Sequence, residues 1–376
     1  MTTEKRIVQI IALLVVGVMT VYTLLLRSAM YNEDGFVRTD NAALRIVGED
    51  AAGDYALFRL LESAPEKAYD FAAQTAYIHE KTQTTGKFAA FASPVKAFIA
   101  VPFLPLPYTE YFDTVFFWGF FLFGVALYAL FPLRLAVPLL AAFPAAFLNF
   151  AFGGFGLYAA ACAVLSLTLA DEYPKRAGFF GGLLAAEPLT FVLILFALAV
   201  EKQKKAFAVA ALFGGFLLVA AGMRYGFGAY AAAFQALQAV PCRFLSLAGV
   251  VLCSGASPFA AWIFQAAVCV WVALTGYRLF FKSPLASRAV KNAFVCAAAV
   301  LISPFATAGD GALLSAAVAF LLFDSERRGY LKADLPLFVL AFGAIFFDGM
   351  LAAAVGMSAQ TAIAVLLPLA CRRRAY

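Results

Sequence analysis

Apolar residues run along this chain in long unbroken stretches, and polar residues gather in a few short clusters. The first apolar run, 7–26, follows Lys5 and Arg6. At about 20 residues it is long enough to cross a ~30 Å hydrocarbon core as a helix. A cleavable signal peptide needs a shorter core and a small-residue cleavage site, and Ser28–Ala29 is a weak one. The pattern therefore predicts a retained signal anchor over 1–26, with the N-terminus inside.

Residues 27–88 form the one long polar stretch and must follow that anchor on the outside. Its alternation, "AALRIV", "YALFRLLESA" and "AYDFAAQTAYIHEKTQ", predicts short amphipathic helices lying on the membrane surface. Beyond it the Lys and Arg fall in clusters: Arg134; Lys175–Arg176; Lys202, Lys204 and Lys205; Arg278 to Lys291; Arg327, Arg328 and Lys332; and Arg372 to Arg374. Cytoplasmic loops are enriched in Lys and Arg. Placing every cluster there predicts spans at 111–131, 135–150, 155–170, 206–223, 258–280, 289–303, 311–323, 334–351 and 358–371. Arg224 and Arg243 are left on short outer loops.

Two segments break the alternation. Segment 177–200 has cytoplasmic clusters on both sides, so it must enter and return, and Glu187–Pro188 sits at its middle. Proline interrupts the helical ladder, leaving two arms too short to cross. Such a turn requires a protein-lined or watery cavity. Segment 89–107 carries Pro94, Pro102, Pro105 and Pro107, must begin and end outside, and is read as a re-entrant or surface helix. The prediction is an all-α polytopic membrane protein of about twelve membrane segments with both termini cytoplasmic. It divides into the anchor (1–26), an extracytoplasmic loop with amphipathic and re-entrant helices (27–110) and a multi-helix transmembrane domain (111–376).

Composition sharpens this picture by exclusion. Hydrophobic residues are 64% and charged residues 13%, with a mean hydropathy of +0.88, against roughly 45–50% and about 25% in soluble proteins. A soluble enzyme and a disordered chain are both excluded. The runs are too long and too uniform for a β-barrel. The net charge of +6 follows from basic cytoplasmic loops and does not point to nucleic acid. One His and six Cys without a CxxC pair leave no zinc site, and no metal site is assigned. No GxGxxG-plus-acid or P-loop pattern occurs, which excludes nucleotide-driven transport and kinase chemistry.

The predicted outer face collects Asp40, Ser93–Pro94 and Lys96, "NFAFGGFG" (149–156), Glu187–Pro188, Arg224 to Arg243, "SPFATAGD" (303–310) and Asp348. Several of these segments resemble the GT-C membrane glycosyltransferases, and most closely glycosyltransferase family 87, over most of residues 36–330. "RTDNAALRIVGED" (38–50) resembles the start of that family's first external loop. "AYDFAAQTAYI" (68–78) resembles its Tyr-Asp segment, and "FASPVKAFIAVPFLPLPY" (91–108) its Tyr-Pro-Pro helix. "NFAFGGFGLYAAA" (149–161) is similar to a Gly-Gln-Asn turn. "RAGFFGGLLAAEPLTFVLIL" (176–195) resembles the segment that carries Lys-Pro, and "LISPFATAGDGALLSAAVAFLL" (301–322) a late Ser/Thr-Pro…Asp segment. The departures are Ser93–Pro94 in place of Tyr-Pro-Pro, "GGF" without amide side chains, and Glu187 where the family has a basic residue.

The resemblance implies a GT-C fold in the plasma (inner) membrane and transfer of a hexose from a polyprenyl-phosphate sugar to an extracytoplasmic acceptor; family members include mannosyltransferases. Its partners are then the bilayer, the lipid-linked sugar and a glycan or glycolipid acceptor. A carboxylate must take the acceptor proton, and Asp40 matches the family position; Thr39–Asp40–Asn41 is equally good capping chemistry. The donor phosphate needs cations. Arg224, Arg243, Lys96, Arg38 and Arg45 are the outer candidates, although Arg also anchors helices at membrane borders. Glu187 reads as a polar wall of the donor cavity or as a hydrated carboxylate at a helix break. Asp310 reads as a sugar or acceptor ligand, or as the N-cap of a helix beginning at Gly311. Glu33, Asp34, Glu49 and Asp50 near Asp40 permit a divalent cation without requiring one. Two rival classes remain: an inactive relative that binds lipid-linked glycans, and a transporter, for which the broken helix at 187–188 speaks and the lack of a repeat relating the two halves speaks against.

Overall fold

The computed structural model describes residues 49–82, 90–143, 146, 149, 153–236, 246–304, 306, 309–344 and 358–375. Every regular element among these residues is helical. Asp40, Arg243, Asp348 and the predicted anchor lie outside them.

Helix α1 (Glu49–Ser63), a short 3-10 turn (Pro65–Lys67) and α2 (Phe71–Thr82) come first. Only α2 alternates as a surface helix should, with Gln74 and Ile78 buried and Ala72, Ala76 and Glu80 exposed. Helix α1 departs from the expected surface position: residues 51–58 are buried without interruption, Asp54 among them. Its Ala- and Gly-rich surface lets neighbours close in on all sides. Gln74 secures the following strand of chain by exchanging hydrogen bonds with Ala90 at 2.8 and 3.4 Å. Tyr69 donates to the Ala92 carbonyl at 3.1 Å.

Helix α3 (Pro94–Ala100) opens with Ser93 as N-cap and Pro94 in the first turn, a pairing that satisfies one orphan N–H and omits another. Then come α4 (Tyr108–Tyr128), α5 (Leu133–Ala142), α6 (Gly156–Thr168), α7 (Pro174–Leu183), a 3-10 turn (Leu184–Ala186), α8 (Pro188–Val200) and α9 (Lys204–Tyr225). The chain continues through α10 (Gly228–Ala236), α11 (Leu247–Cys253), α12 (Pro258–Tyr277), α13 (Arg288–Ile302) and α14 (Gly311–Arg328). Residues 335–344 are helical, and α15 (Ala359–Arg374) ends the described chain. Among the described residues, helices stand within the stretches predicted as spans. Helices α10 and α11 occupy what the sequence suggested was only loop.

Among the described residues three helices are long and apolar enough to cross a membrane: Tyr108–Tyr128, Lys204–Tyr225 and Pro258–Lys282, the last being α12 with its π-helical extension. They expose Phe117, Trp118 and Phe121 on α4, Leu212, Phe216 and Met223 on α9, and Phe259, Ile263 and Val270 on α12. The interior belongs to α6, α13 and α14, whose Ala-rich sequences are buried almost throughout. Small residues allow this, because packing in lipid relies on close backbone approach. A Cβ added at Gly178 on α7 would lie 2.5 Å from the Val209 Cβ on α9, so these two helices meet almost backbone to backbone.

The predicted break at 187–188 is present. Gln203, after α8, donates to Asp171, before α7, at 2.5 Å. The two arms thus leave and return at one end, with Glu187 at the turn between them.

Candidate functional site

Four segments far apart in sequence meet around Lys96. Asp54 comes from α1, Lys96 from the third position of α3, Phe155 from the residue before α6, and Glu187 from the break between α7 and α8. The Lys96 Nζ lies 3.2 Å from Asp54 Oδ2 and 3.6 Å from Glu187 Oε1. It also stands 5.6 Å from the centre of the Phe155 ring, within cation–π range. Asp310, immediately before α14, is close enough for its charge to act on both Lys96 and Glu187.

Local sequence explains each placement. Asp54 and Phe58 are four residues apart on α1 and so share a face, and Phe58 packs edge-on against Phe155 at 6.1 Å. Gly153, in the turn before α6, has φ +77 and faces Ala51 and Phe112 where a Cβ would stand. Only glycine suits that position, and it lets α1 settle against the turn. A Cβ on Gly156 would run into the Gly309 carbonyl, so the start of α6 lies directly against the chain leading to Asp310. Ser93 accepts from the Lys96 backbone N–H and donates its own hydroxyl proton to the Ala186 carbonyl at 2.7 Å. This hydrogen bond, across 93 positions of sequence, holds the start of α3 beside Glu187.

Electrostatics follow from that packing. Burial disfavours the Lys96 ammonium, but Asp54, Glu187 and Asp310 outweigh it and lift its pKa above the ordinary lysine range. Lys96 is therefore a fixed cation. Asp310 precedes α14 without capping it through its side chain. Glu187 likewise makes no side-chain cap to α8.

Arg224 stands apart from this group. Its guanidinium grips Glu62 through both carboxylate oxygens at 2.8 and 2.9 Å, and Tyr225 donates to the same carboxylate at 3.1 Å. The pair ties the end of α1 to the end of α9, and Arg224 keeps 42% of its side chain exposed. Of the candidate residues, Lys96, Glu187 and Asp310 are brought together. Asp40 and Arg243 lie outside the described residues. Asp54 and Phe155 are participants that sequence reasoning passed over. The available signal was one carboxylate inside the apolar run "AAGDYALFRLL" and one aromatic inside "GGFG". Among the described residues no cluster of metal-ligating side chains occurs.

Apolar helices of membrane length, together with a charged group built from four or five segments, define a polytopic membrane protein. The family model described as Glycosyltransferase family 87 matches residues 93–304, more than half of the chain. The chain belongs to glycosyltransferase family 87 and is a membrane glycosyltransferase. The match opens at Ser93, so it takes in Lys96, Phe155, Glu187 and Arg224, while Asp54 and Asp310 fall on either side of it. Comparison with curated proteins and with solved structures gives no match.

Proposed function

We propose that this glycosyltransferase moves a hexose, mannose being the first to test, from a polyprenyl-phosphate donor to an acceptor on the extracytoplasmic side of the plasma membrane. One observation carries the reading: Asp54, Lys96, Glu187 and Asp310 converge at the N-terminal ends of α3, α6, α8 and α14, on the side that the positive-inside rule places outside. Helices α6 and α8 have 13 residues each, or about 20 Å. Anchored at the cytoplasmic face, they would end short of a ~30 Å core. The polar group would then lie recessed, where a lipid carrier can bring its sugar and water can bring the acceptor.

The transfer makes a bond from the acceptor oxygen to the anomeric carbon and breaks the bond from that carbon to the phosphate oxygen. Polyprenyl phosphate leaves with the electron pair. The acceptor proton goes to a carboxylate, for which Asp40 is the proposed base. Arg224 and Arg243 are the proposed cations for the donor phosphate, Arg224 being held at the mouth of α9 by Glu62. A divalent cation is not needed for this sequence of bonds.

Asp40→Asn should lower transfer by about 10²- to 10⁴-fold, the usual contribution of a general base, with thermal unfolding in detergent unchanged. The measurement is formation of glycosyl product from polyprenyl-phosphate mannose by the purified protein. Normal transfer by that variant removes Asp40 from the mechanism.

A further inference from the structure

Asp54, Lys96 and Glu187 run in order from the interior to the open edge of the fold. Their side chains are 8%, 15% and 29% exposed respectively. Lys96 is engaged on both sides by carboxylates and from a third direction by the Phe155 ring. Of the pair Lys96 and Glu187, the lysine is the more buried, 15% exposed against 29%. The Glu187 carboxylate is spent neither on capping α8 nor, at its second oxygen, on any other described residue; Lys96 holds Oε1 alone. Ser93 and Ala186 lock the backbone on which both side chains stand.

Burial raises the Glu187 pKa to about 7, with Asp310 and Asp54 adding to the rise and Lys96 opposing it, so above that pH its carboxylate has hydrogen-bond acceptors to offer and no donor. A hexose presents hydroxyl donors that satisfy it. A phosphate presents only acceptor oxygens and negative charge, and it would meet Glu187 before it met Lys96. Resting on the donor reading above, we infer that Asp54, Lys96 and Glu187 form the sugar-reading wall of the site, Glu187 accepting hydrogen bonds from hydroxyls of a neutral hexose and Lys96 and Asp54 acting as positioning residues behind it. Lys96 is then not a phosphate ligand, and the donor phosphate is held by other cations. The same wall selects against sugars that carry a carboxylate, since two anions would face each other in a recessed place where their repulsion is poorly screened.

The test compares two ligands on the full chain in lipid nanodiscs: bare polyprenyl phosphate and polyprenyl-phosphate mannose. The native protein should bind the mannosyl lipid more tightly. Glu187→Gln should lose about tenfold or more for the mannosyl lipid, the weight of one hydrogen bond to a charged group, while affinity for the bare carrier stays within about twofold on the same scale. Asp54→Asn should move the same way by a smaller factor, as expected of a residue acting through Lys96. Glu187→Gln keeps its volume at a partly open position, so its folding does not depend on the buried pair. The double variant Lys96→Met/Asp54→Asn, which leaves no buried carboxylate at position 54 short of its cation, should leave affinity for the bare carrier unchanged; weaker binding there would make Lys96 a phosphate ligand and overturn the assignment. Equal loss for both ligands in Glu187→Gln, or no loss for either, would also overturn it. If the native protein binds both lipids alike, the wall is refuted and the donor class stands. If it binds neither, the donor reading itself fails.

Discussion

Two ionic clusters sit at opposite ends of the helical body, and they differ in charge balance and in exposure. At the end predicted to be cytoplasmic, Arg374 donates to Asp334 at 2.6 Å and to Asp324 at 2.9 Å. Arg373 and Arg328 approach the same two carboxylates, and Ser287 donates to Asp324. The three central side chains are at most 3% exposed. At the other end, Lys96 is flanked by Asp54 and Glu187, and Glu187 stays partly open. In the first cluster three arginines meet two carboxylates, and the three central side chains are buried. In the second, carboxylates surround a single ammonium and one of them faces outward. The first arrangement joins α13, α14 and α15 to the segment at 332–334. The second leaves acceptor capacity for a ligand. Charge alone does not make a site; an unsatisfied, reachable group does.

The largest expected effect tests the closed cluster. Arg374→Ala leaves two buried carboxylates short of their cation and should cost about 3–5 kcal/mol. Thermal unfolding in detergent should show the loss, while transfer per folded molecule is retained. If stability is unchanged, the buried cluster is not a lock and the contrast between the two ends collapses.

Gly156→Ala should come next. The new methyl meets the Gly309 carbonyl, and overpacking of this kind costs about 1–3 kcal/mol. It should also push the start of α6 away from the chain leading to Asp310, so activity should fall further than stability. Equal falls in both would mean that this contact serves packing only.

Glu62→Gln should have the smallest effect. The Arg224–Glu62 pair is 42% and 33% exposed, and exposed pairs are worth about 0.2–1 kcal/mol. Unfolding should shift little, and raised salt should shrink the shift further. A loss above 2 kcal/mol, on the same scale, would place this latch with the buried cluster and not with the open one.

Much of this was legible in the chain. Hydropathy runs set the helices, because an apolar segment of given length has few other stable states in lipid. Pro188 marked the break, since a proline cannot continue the ladder it enters. The basic clusters sorted polar groups into two ends: among the described residues, ion pairs between segments join residues placed at the same end, as in Lys96 with Glu187, Lys291 with Glu201, Arg288 with Asp171, and Arg224 with Glu62. Asp54 was not legible as a site residue. Its neighbours gave it the look of one more polar position in an external loop, and its burial arises only when α2, α3 and α4 close around α1. Arg224 was legible as an outer cation but not as one held by Glu62, which lies 162 positions away.

By itself, then, the order of residues determined an all-helical membrane chain, the returning hairpin at Glu187–Pro188, and which polar groups share an end. These depend on local composition and on the bilayer as solvent, and both act on short windows of chain. Tertiary structure alone decided that Lys96 sits between Asp54 and Glu187, that Gly156 lies against Gly309, and which of the two carboxylates is the more exposed. Those outcomes depend on how closely glycine and alanine surfaces let helices approach, and that distance is set by every neighbour at once.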